Sequence, residues 1–301
     1  MASDADVLDL RSFLSDLEAS EPESILRINE RVNLDYDVTA LAMELERLGH
    51  SPVIWLSKVG DYSFPVVTNL FGSRGRYALA LGVSEDALTE TWASLGETTI
   101  EPVIGETGPI LDVVHTGAAV DLGVIPIMKH FTEDGGPYVT NGIMVAEDPE
   151  SGVHNASFHR LQVKGKNRLG VSLHSRRHLW TYAARAEALG RSVPVSIVIG
   201  GHPLFSFGGG LWKGGIDADE YAVVGGFMGR PLDLVSGVTV PVATPAYAEF
   251  VIEGQILCGA REPEGPFAEF TGYASDRSTE HVVEVSAILH RKDAIYHDIV
   301  S

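Results

Sequence analysis

The order of apolar segments changes after Pro102, and this change constrains the fold more than any other feature of the sequence. Before it, helical segments alternate with short apolar strands, whereas after it strand-like segments follow one another through short turns. Alternation of helices and strands is typical of an α/β domain, and consecutive strands favour a β-rich domain, most simply a barrel. The sequence therefore predicts an α+β chain with a small α/β domain over 1–108 and a β-barrel domain over 109–301.

The individual elements follow from apolar spacing, helix caps and turn residues. In the first region, helices are predicted over 9–17, 37–48, 74–81 and 85–95, and strands over 24–28, 51–56 and 64–68. In the second, strands are predicted over 139–146, 153–163, 169–173, 193–200, 234–242, 246–252 and 282–289, and helices over 177–189 and 218–224. The Gly-rich segment 201–215 has no periodicity and is predicted to be irregular. The chain ends inside the apolar segment 294–301, so we expect it to stop short of a further domain.

Composition excludes several classes of function. The chain has 22 basic and 41 acidic residues, a formal charge of −19, which argues against nucleic acid or an anionic membrane as a partner. A single cysteine, Cys258, excludes an intramolecular disulfide framework and a cysteine-based zinc site. There is no secretory signal pattern and no long apolar run, so we expect a cytoplasmic protein. Dinucleotide and phosphate-loop motifs are also absent from the sequence.

Two carboxylates bracket a Gly-Pro pair in Glu264-Gly-Pro-Phe-Ala-Glu269. On a helix this spacing rotates the second side chain by roughly 140° from the first, and on a flat strand an odd spacing puts the two on opposite faces. A bend at Gly265-Pro266 would aim both carboxylates at one point. A solvated acidic turn is the alternative interpretation.

A polar segment, Asn155-Ala-Ser-Phe-His-Arg160, lies within the predicted strand 153–163. By strand alternation, Asn155, Ser157 and His159 share one face. Phe158 and Arg160 share the other. An arginine within an otherwise apolar strand needs an anionic partner if it is buried, and a surface-facing arginine is the alternative.

Three dispersed residues carry ligand atoms that suit a divalent metal such as Mn²⁺. They are Asn155, His178 at the start of a predicted helix, and Glu220 in an acidic segment. A structural histidine and an acidic helix N-terminus are the alternatives for the last two. Gly208-Gly-Gly210, followed by Leu211-Trp212, is either a turn through which backbone groups approach a ligand or a plain surface loop.

Together these features resemble the UbiD-type decarboxylases, a family that uses prenylated FMN, and the resemblance covers residues from about 8 to 301. It rests on Phe64-Pro-Val-Val-Thr-Asn-Leu-Phe-Gly-Ser-Arg74, on Asn155-x-x-x-x-Arg160 with His178 and Glu220, and on Glu264-Gly-Pro-Phe-x-Glu269-x-x-Gly-Tyr273. The resemblance implies that the second domain is a split β-barrel related to flavin reductases. It also implies that the family's C-terminal domain is absent from this chain.

The resemblance further implies a role for each site residue. Mn²⁺ would be bound by Asn155, His178 and Glu220, and K⁺ by the carbonyls of Ala156, Gly209, Gly210 and Trp212. Prenylated FMN would be contacted by Asn155, Ser157, Phe158, His159, Arg160, Arg177, His178, Gly210, Leu211, Trp212 and Glu220. The catalytic network would be Arg160, Glu264 and Glu269. Two positions depart from common members: Arg177 stands where a neutral amide is frequent, and Phe270 would shape the substrate pocket.

The implied activity is reversible, non-oxidative decarboxylation of an aromatic, heteroaromatic or α,β-unsaturated carboxylic acid through a covalent adduct with prenylated FMN. Glu269 is the expected proton donor, and holding it protonated near pH 7 requires about 3–4 kcal/mol, which an apolar pocket around Phe267 and Phe270 would supply. A flavin prenyltransferase would supply the cofactor, CO₂ would be the second product, and the protein would be a homo-oligomer, a dimer or larger. The alternatives are a flavin-reductase-like oxidoreductase using FMN, and a non-catalytic cofactor-binding fragment completed by a partner domain.

Overall fold

The computed structural model of the chain describes residues 7–269, 271 and 273–300. Its helices are α1 (Leu10–Ser20), α2 (Asp37–Arg47), α3 (Arg74–Leu81), α4 (Leu88–Ser94), α5 (His178–Ala188), α6 (Pro203–Phe205) and α7 (Glu220–Met228). Its strands are β1 (Ile25–Val32), β2 (Val53–Val59), β3 (Val66–Thr68), β4 (Val103–Gly105), β5 (Val113–Thr116), β6 (Tyr138–Glu147), β7 (His154–Gly165), β8 (Arg168–Val171), β9 (Val193–Ile199), β10 (Asp233–Val235), β11 (Thr244–Pro245), β12 (Phe250–Ala268), β13 (Ala274–His290) and β14 (Tyr296–His297). Within those described residues, no helix has the length and apolar character needed to cross a membrane.

The N-terminal region folds around a four-stranded mixed sheet in the order β1-β2-β3-β14. Strands β1 and β2 are parallel, as are β3 and β14, whereas β2 and β3 are antiparallel. Helix α1 packs its apolar face into the core through Leu10, Phe13, Leu14 and Leu17, the four residues of the predicted amphipathic spacing. The predicted helices and strands of this region are confirmed, and the sheet also receives a strand from the far end of the chain.

The second region is built on a large antiparallel sheet in the order β12-β9-β6-β7-β8-β13-β5. Strands β12 and β13, with 19 and 17 residues, also pair with each other over most of their length. Apolar side chains from β6, β7, β9 and β12 fill the space beside α5. The prediction of a β-rich second region is confirmed. Strand β7 lies near the middle of this sheet and contains the whole polar segment Asn155–Arg160.

A small third sheet, β11-β10-β4, joins residues of the segment after Pro102 to the region after α7. Here the predicted strand 234–242 is wrong beyond Val235. The carboxylate of buried Glu253 accepts hydrogen bonds from the backbone N–H of Val238 and of Thr239, at 2.8 and 2.6 Å, and folds that segment into a loop. The predicted strand 246–252 begins only at Phe250 and then runs on to Ala268.

The prediction that residues 201–215 are irregular is also wrong. After α6 the chain forms a π-helix over Ser206–Leu211. The preceding helix α6 starts where the side chain of His202 accepts the N–H of Leu204 at 3.1 Å, with Pro203 at the first helical position. Apolar side chains anchor the segment, and Gly208 allows its backbone to pack closely on Val224 of α7. The sequence shows no helical period of apolar residues here because glycines lie at the contacts with α7 and β7.

Candidate active site

Arg160 on β7 is held by a buried carboxylate on β12. Its Nε and Nη2 donate to the two oxygens of Glu264 at 3.1 and 2.8 Å, a bidentate ion pair. Glu264 is 1% exposed, and the Phe267 ring lies 4.8 Å from the Arg160 guanidinium carbon. The two opposite charges compensate each other where they are shielded from water, and the two hydrogen bonds fix the position of each side chain.

Glu269 binds the remaining edge of the same guanidinium. Arg160 Nη1 donates to Glu269 Oε1 at 3.1 Å and to Ser275 Oγ at 3.0 Å. The Ser275 hydroxyl in turn donates to Glu269 Oε1 at 2.6 Å. The side chain of Glu269 is 41% exposed, whereas that of Glu264 is fully buried. The two carboxylates therefore meet one arginine but differ sharply in their access to solvent.

The bend between the two glutamates lies inside a strand rather than in a turn. The pairing of β12 with β13 skips from Glu264 to Phe267, and Gly265 has a φ of +106°, a conformation that favours glycine. Three contacts fix the displaced backbone: Gln162 accepts the N–H of Gly265 at 3.1 Å, Asp134 accepts the N–H of Ala268 at 2.8 Å, and the Pro266 carbonyl accepts the N–H of Gly135 at 2.7 Å. These contacts orient Glu264 and Glu269 toward the same partner.

The predicted polar face of β7 is present. Ser157 Oγ donates to Asn155 Oδ1 at 3.1 Å and lies 2.9 Å from His159 Nε2. Burial lowers the pKa of His159 to about 4, so its imidazole is neutral at physiological pH. The three side chains form a connected row that ends at Asn155, one of the metal-ligand candidates.

Asn155, His178 and Glu220 converge at one point, as their candidate ligand roles require. Asn155 Nδ2 donates to Glu220 Oε1 at 3.1 Å, and His178 Nδ1 lies 3.6 Å from the same oxygen. Asp219 caps α7 by accepting the N–H groups of Tyr221 and Ala222, which sets Glu220 as the first residue of the helix. The first residues of α5 and α7, His178 and Glu220, therefore lie together beside Asn155 of β7.

The second oxygen of Glu220 is buried without a hydrogen-bond partner. Burial raises the pKa of Glu220 to about 8, and burial also lowers the pKa of His178, with the Arg177 charge adding to that effect. The pair is therefore mostly uncharged at neutral pH, although a cation between the two would reverse both shifts. In the described part of the chain, no three His, Cys, Asp or Glu side chains are grouped to hold a metal ion, so any metal here depends on the Asn155 amide as the third ligand.

The glycine segment lies against the other face of β7. Gly209 approaches Ala156, and a side chain at Gly210 would overlap the Phe158 ring, so only glycine fits there. Leu211 is exposed, and the Trp212 indole donates to the Leu95 carbonyl at 3.0 Å, which ties this segment to the N-terminal region. The residues implied for a monovalent cation are therefore neighbours.

A cleft of about 1040 Å³ opens between the N-terminal region and this site. Phe158, Leu211 and Glu269 line one side of it. The opposite side comes from the N-terminal region and includes His50, Ser51, Asn69, Phe71 and Tyr77. Sequence reasoning did not identify these lining residues or Ser275, although Asn69, a non-glycine residue with φ +60°, marks an unusual backbone position.

Three further expectations concern Arg177, Phe270 and Glu269. Arg177 is the exposed N-cap residue of α5 and lies beside His178. Phe270, expected to shape the pocket, lies outside the described residues. Because Glu269 is 41% exposed, the described residues do not supply the desolvation expected to keep it protonated.

Comparison with known proteins identifies relatives over both regions. Residues 102–301 match the 3-octaprenyl-4-hydroxybenzoate carboxy-lyase Rift-related domain, and residues 17–95 match the N-terminal domain of the same family. The chain is 34% identical to an anhydromevalonate phosphate decarboxylase of Methanothermobacter thermautotrophicus, over 97% of its own length and 65% of the relative. It is 30% identical to a phenolic acid decarboxylase of Sedimentibacter hydroxybenzoicus, over 97% of its own length and 63% of the relative.

Solved structures agree with the sequence relatives. The UbiD-class enzyme HmfF of Pelotomaculum thermopropionicum, in an evolved dimeric form in complex with prFMN, superimposes with a TM-score of 0.92 at 35% identity, over 98% of this chain and 68% of that one. The same enzyme in complex with FMN gives a TM-score of 0.91. The chain spans about two thirds or less of the length of these curated relatives. The chain belongs to the UbiD family.

Proposed function

We propose that this chain carries out the non-oxidative decarboxylation of an aromatic, heteroaromatic or α,β-unsaturated carboxylic acid. The observation that carries the proposal is the Arg160 guanidinium, bound on one edge by buried Glu264 and on the other by Glu269. Such a set separates two roles: one carboxylate neutralises the arginine, and the other remains at the edge of a cleft to exchange a proton.

The chemistry follows from where the charges lie. When CO₂ leaves the substrate carboxylate, the electron pair of the broken bond stays on carbon, and that carbon then takes a proton. Glu269, with its side chain 41% exposed and facing the cleft, is our candidate donor of this proton. Arg160, whose side chain is 15% exposed, is suited to orient the substrate carboxylate without losing its own partner Glu264.

The described residues fit the expected cofactor. Prenylated FMN, when bound, supplies the electron sink for the carbon that loses CO₂. Asn155, His178 and Glu220 would hold Mn²⁺ beside the cofactor phosphate, and the unpartnered buried oxygen of Glu220 supports this assignment. Carbonyls of Ala156, Gly209, Gly210 and Trp212 would hold K⁺. The flavin would lie along Asn155–Arg160, near Arg177–His178 and Gly210–Trp212.

The architecture supports the remaining expectations. The ring of pairings from β12 through β9, β6, β7, β8 and β13 back to β12 supports a split β-barrel for residues 109–301, with 1–108 as the N-terminal domain. A cleft of about 1040 Å³ suits a small acid together with part of a flavin.

The relatives support the substrate class, since they include an anhydromevalonate phosphate decarboxylase and a phenolic acid decarboxylase. We also infer a homo-oligomer and a supplying flavin prenyltransferase, since one UbiD-class relative is dimeric with prFMN.

Co-expression with a flavin prenyltransferase tests this proposal. The purified chain should carry a cofactor with the mass and absorption of prenylated FMN, and should release CO₂ from at least one acid in a panel of the three substrate classes. Addition of NAD(P)H should give no turnover. Ordinary FMN together with NAD(P)H oxidation would instead favour a flavin-reductase-like oxidoreductase, and bound prenylated FMN without CO₂ release would favour a cofactor-binding fragment.

A further inference from the structure

Two histidines outside the catalytic cluster face each other across two paired strands. His115 lies on β5 and His290 on β13, and the pairing of Ile288 with His115 and of His290 with Val113 places both histidines on one face of the sheet. Their Nε2 atoms are 3.3 Å apart, and the ring centroids are 5.4 Å apart with an interplanar angle of 22°. Neither residue has a role in the proposed decarboxylation.

The tautomer of His290 is set by its backbone neighbour. His290 Nδ1 lies 2.7 Å from the Arg291 carbonyl, which can only accept, so Nδ1 carries the proton. In the neutral ring Nε2 is then left with a free lone pair, directed at His115. Burial lowers the pKa of His290, and the nearby His115 adds to that effect, so the ring is neutral at physiological pH. A protonated Nδ1 on a backbone carbonyl with a free Nε2 is the arrangement common to metal-bound histidines.

The distance between the two Nε2 atoms matches shared coordination. Two imidazole nitrogens, each about 2.0–2.1 Å from a tetrahedral Zn²⁺, lie about 3.3–3.4 Å apart. The carboxylate of Asp112 adds negative charge close to His290. His290 itself is 5% exposed and packs on the rings of Phe64 and Phe250, so its position is fixed.

We propose that His115 Nε2 and His290 Nε2 form a binding site for a divalent transition metal, Zn²⁺ in the first instance, with water in the remaining positions. This site has two protein ligands, consistent with the finding that the described residues contain no group of three acidic, histidine or cysteine side chains around a metal. The bound ion would link the edge strand β5 to β13, next to the packing of Phe64 from the N-terminal region on His290. Without metal, an Nε2–H···Nε2 hydrogen bond from His115 to His290 uses the same geometry.

Zn²⁺ titration of the full, tag-free chain tests this proposal. The experiment is done in a Glu220→Gln background, which removes a ligand of the proposed Mn²⁺ set and leaves the histidine pair as the expected site. We expect one Zn²⁺ per chain and a rise in melting temperature on its addition. His115→Phe should weaken binding at least tenfold and abolish the rise, while His50→Asn, at an exposed histidine in another part of the molecule, should leave both unchanged.

Equal Zn²⁺ affinity in the His115→Phe variant, or no binding by the parent chain, would overturn the proposal. If His115→Phe does not fold, the parent chain loaded with Cu²⁺ decides the matter by electron paramagnetic resonance. Hyperfine coupling to two imidazole nitrogens is expected, and coupling to one or none would contradict the site.

Discussion

The two faces of β7 contact two glutamates from other elements, and these glutamates are almost equally buried but differently partnered. Glu264, 1% exposed, receives two hydrogen bonds from the guanidinium of Arg160. Glu220, 3% exposed, receives one from the Asn155 amide and keeps one oxygen without a partner. A buried carboxylate needs a cation or several hydrogen-bond donors beside it to stay charged, and Glu264 has its cation within the chain whereas Glu220 accepts only one side-chain hydrogen bond from the described residues.

The comparison separates a cluster whose charges all come from side chains of the protein from a cluster that we propose is completed by a bound metal ion. The arginine face has its charge balance and its geometry fixed by side chains alone. The face with Asn155, His178 and Glu220 is our proposed Mn²⁺ site, and without metal burial raises the pKa of its Glu220 carboxyl to about 8. Changes to the two faces should therefore have opposite effects on stability.

The largest effect is expected from Arg160→Met. It leaves Glu264 buried without its cation, and loss of one partner of a buried pair costs about 3–5 kcal/mol in the free energy of unfolding. Denaturant unfolding measures this change, and CO₂ release should fall to background. A double variant, Arg160→Met with Glu264→Met, should recover most of the stability and remain inactive.

The matched control is the exposed pair Arg168–Glu262, in which both side chains are about one third exposed. Arg168→Met should cost less than about 1 kcal/mol because solvent screens such pairs. Equal losses for Arg160→Met and Arg168→Met would show that the Arg160 pair is not the stabilising contact described above.

Glu220→Gln should act in the other direction. The pKa of Glu220 is raised from 4.5 to about 8 on folding, so the folded state holds one more proton than the unfolded state between those values. Its contribution to stability is present below pH 4.5 and is lost as the pH rises toward 8, at about 1.4 kcal/mol per pH unit. The metal-free variant should therefore be less pH-sensitive than the parent by about 2–3 kcal/mol between pH 5 and pH 7.

Thermal or denaturant unfolding at several pH values in the presence of EDTA checks this prediction. A parent chain and a Gln variant with the same pH dependence would contradict the raised pKa. Glu262→Gln, at an exposed carboxylate, is the control for loss of one negative charge.

Mn²⁺ binding should depend on the same proton. Because a ligand carboxylate must lose its proton, affinity should rise by about tenfold per pH unit up to pH 8 and then level off. Calorimetric titration at pH 6, 7 and 8 measures this dependence. An affinity independent of pH would show that Glu220 is not a ligand.

The smallest effect is expected from Ser275→Ala. This change removes the hydroxyl that bridges Arg160 and Glu269 but leaves the bidentate pair with Glu264, so the free energy of unfolding should fall by about 1 kcal/mol. Activity should fall by a few-fold, with cofactor content unchanged. A loss as large as that of Arg160→Met would shift the central role from the arginine to the serine.

Sequence reasoning succeeded where spacing carries information. The period of α1 and the alternation along β7 follow from local residue order. Asn155, His178 and Glu220 are grouped by residue type and by the family resemblance rather than by spacing, and they lie together in the structure. It failed for the π-helix over Ser206–Leu211, where glycines on the contact face remove the apolar period.

Other misses involve contacts between distant parts of the chain. The loop after Val235 is folded by Glu253, 15 residues from Val238, and the strand prediction had no means of including that carboxylate. Ser275 joins the arginine network across a separation of 115 residues. The cleft lining from Asn69, Phe71 and Tyr77 depends on how the N-terminal region packs against β7, and no local pattern specifies such packing.

Decarboxylation by Glu269→Gln, loaded with prenylated FMN, tests the central claim most directly. Gln keeps the size of the side chain at an exposed position but cannot donate a proton as the acid does. We predict cofactor content equal to that of the parent chain and a rate of CO₂ release lower by a factor of about 10²–10⁴. A fully loaded variant that releases CO₂ at the parent rate would contradict the assignment of Glu269 as the proton donor.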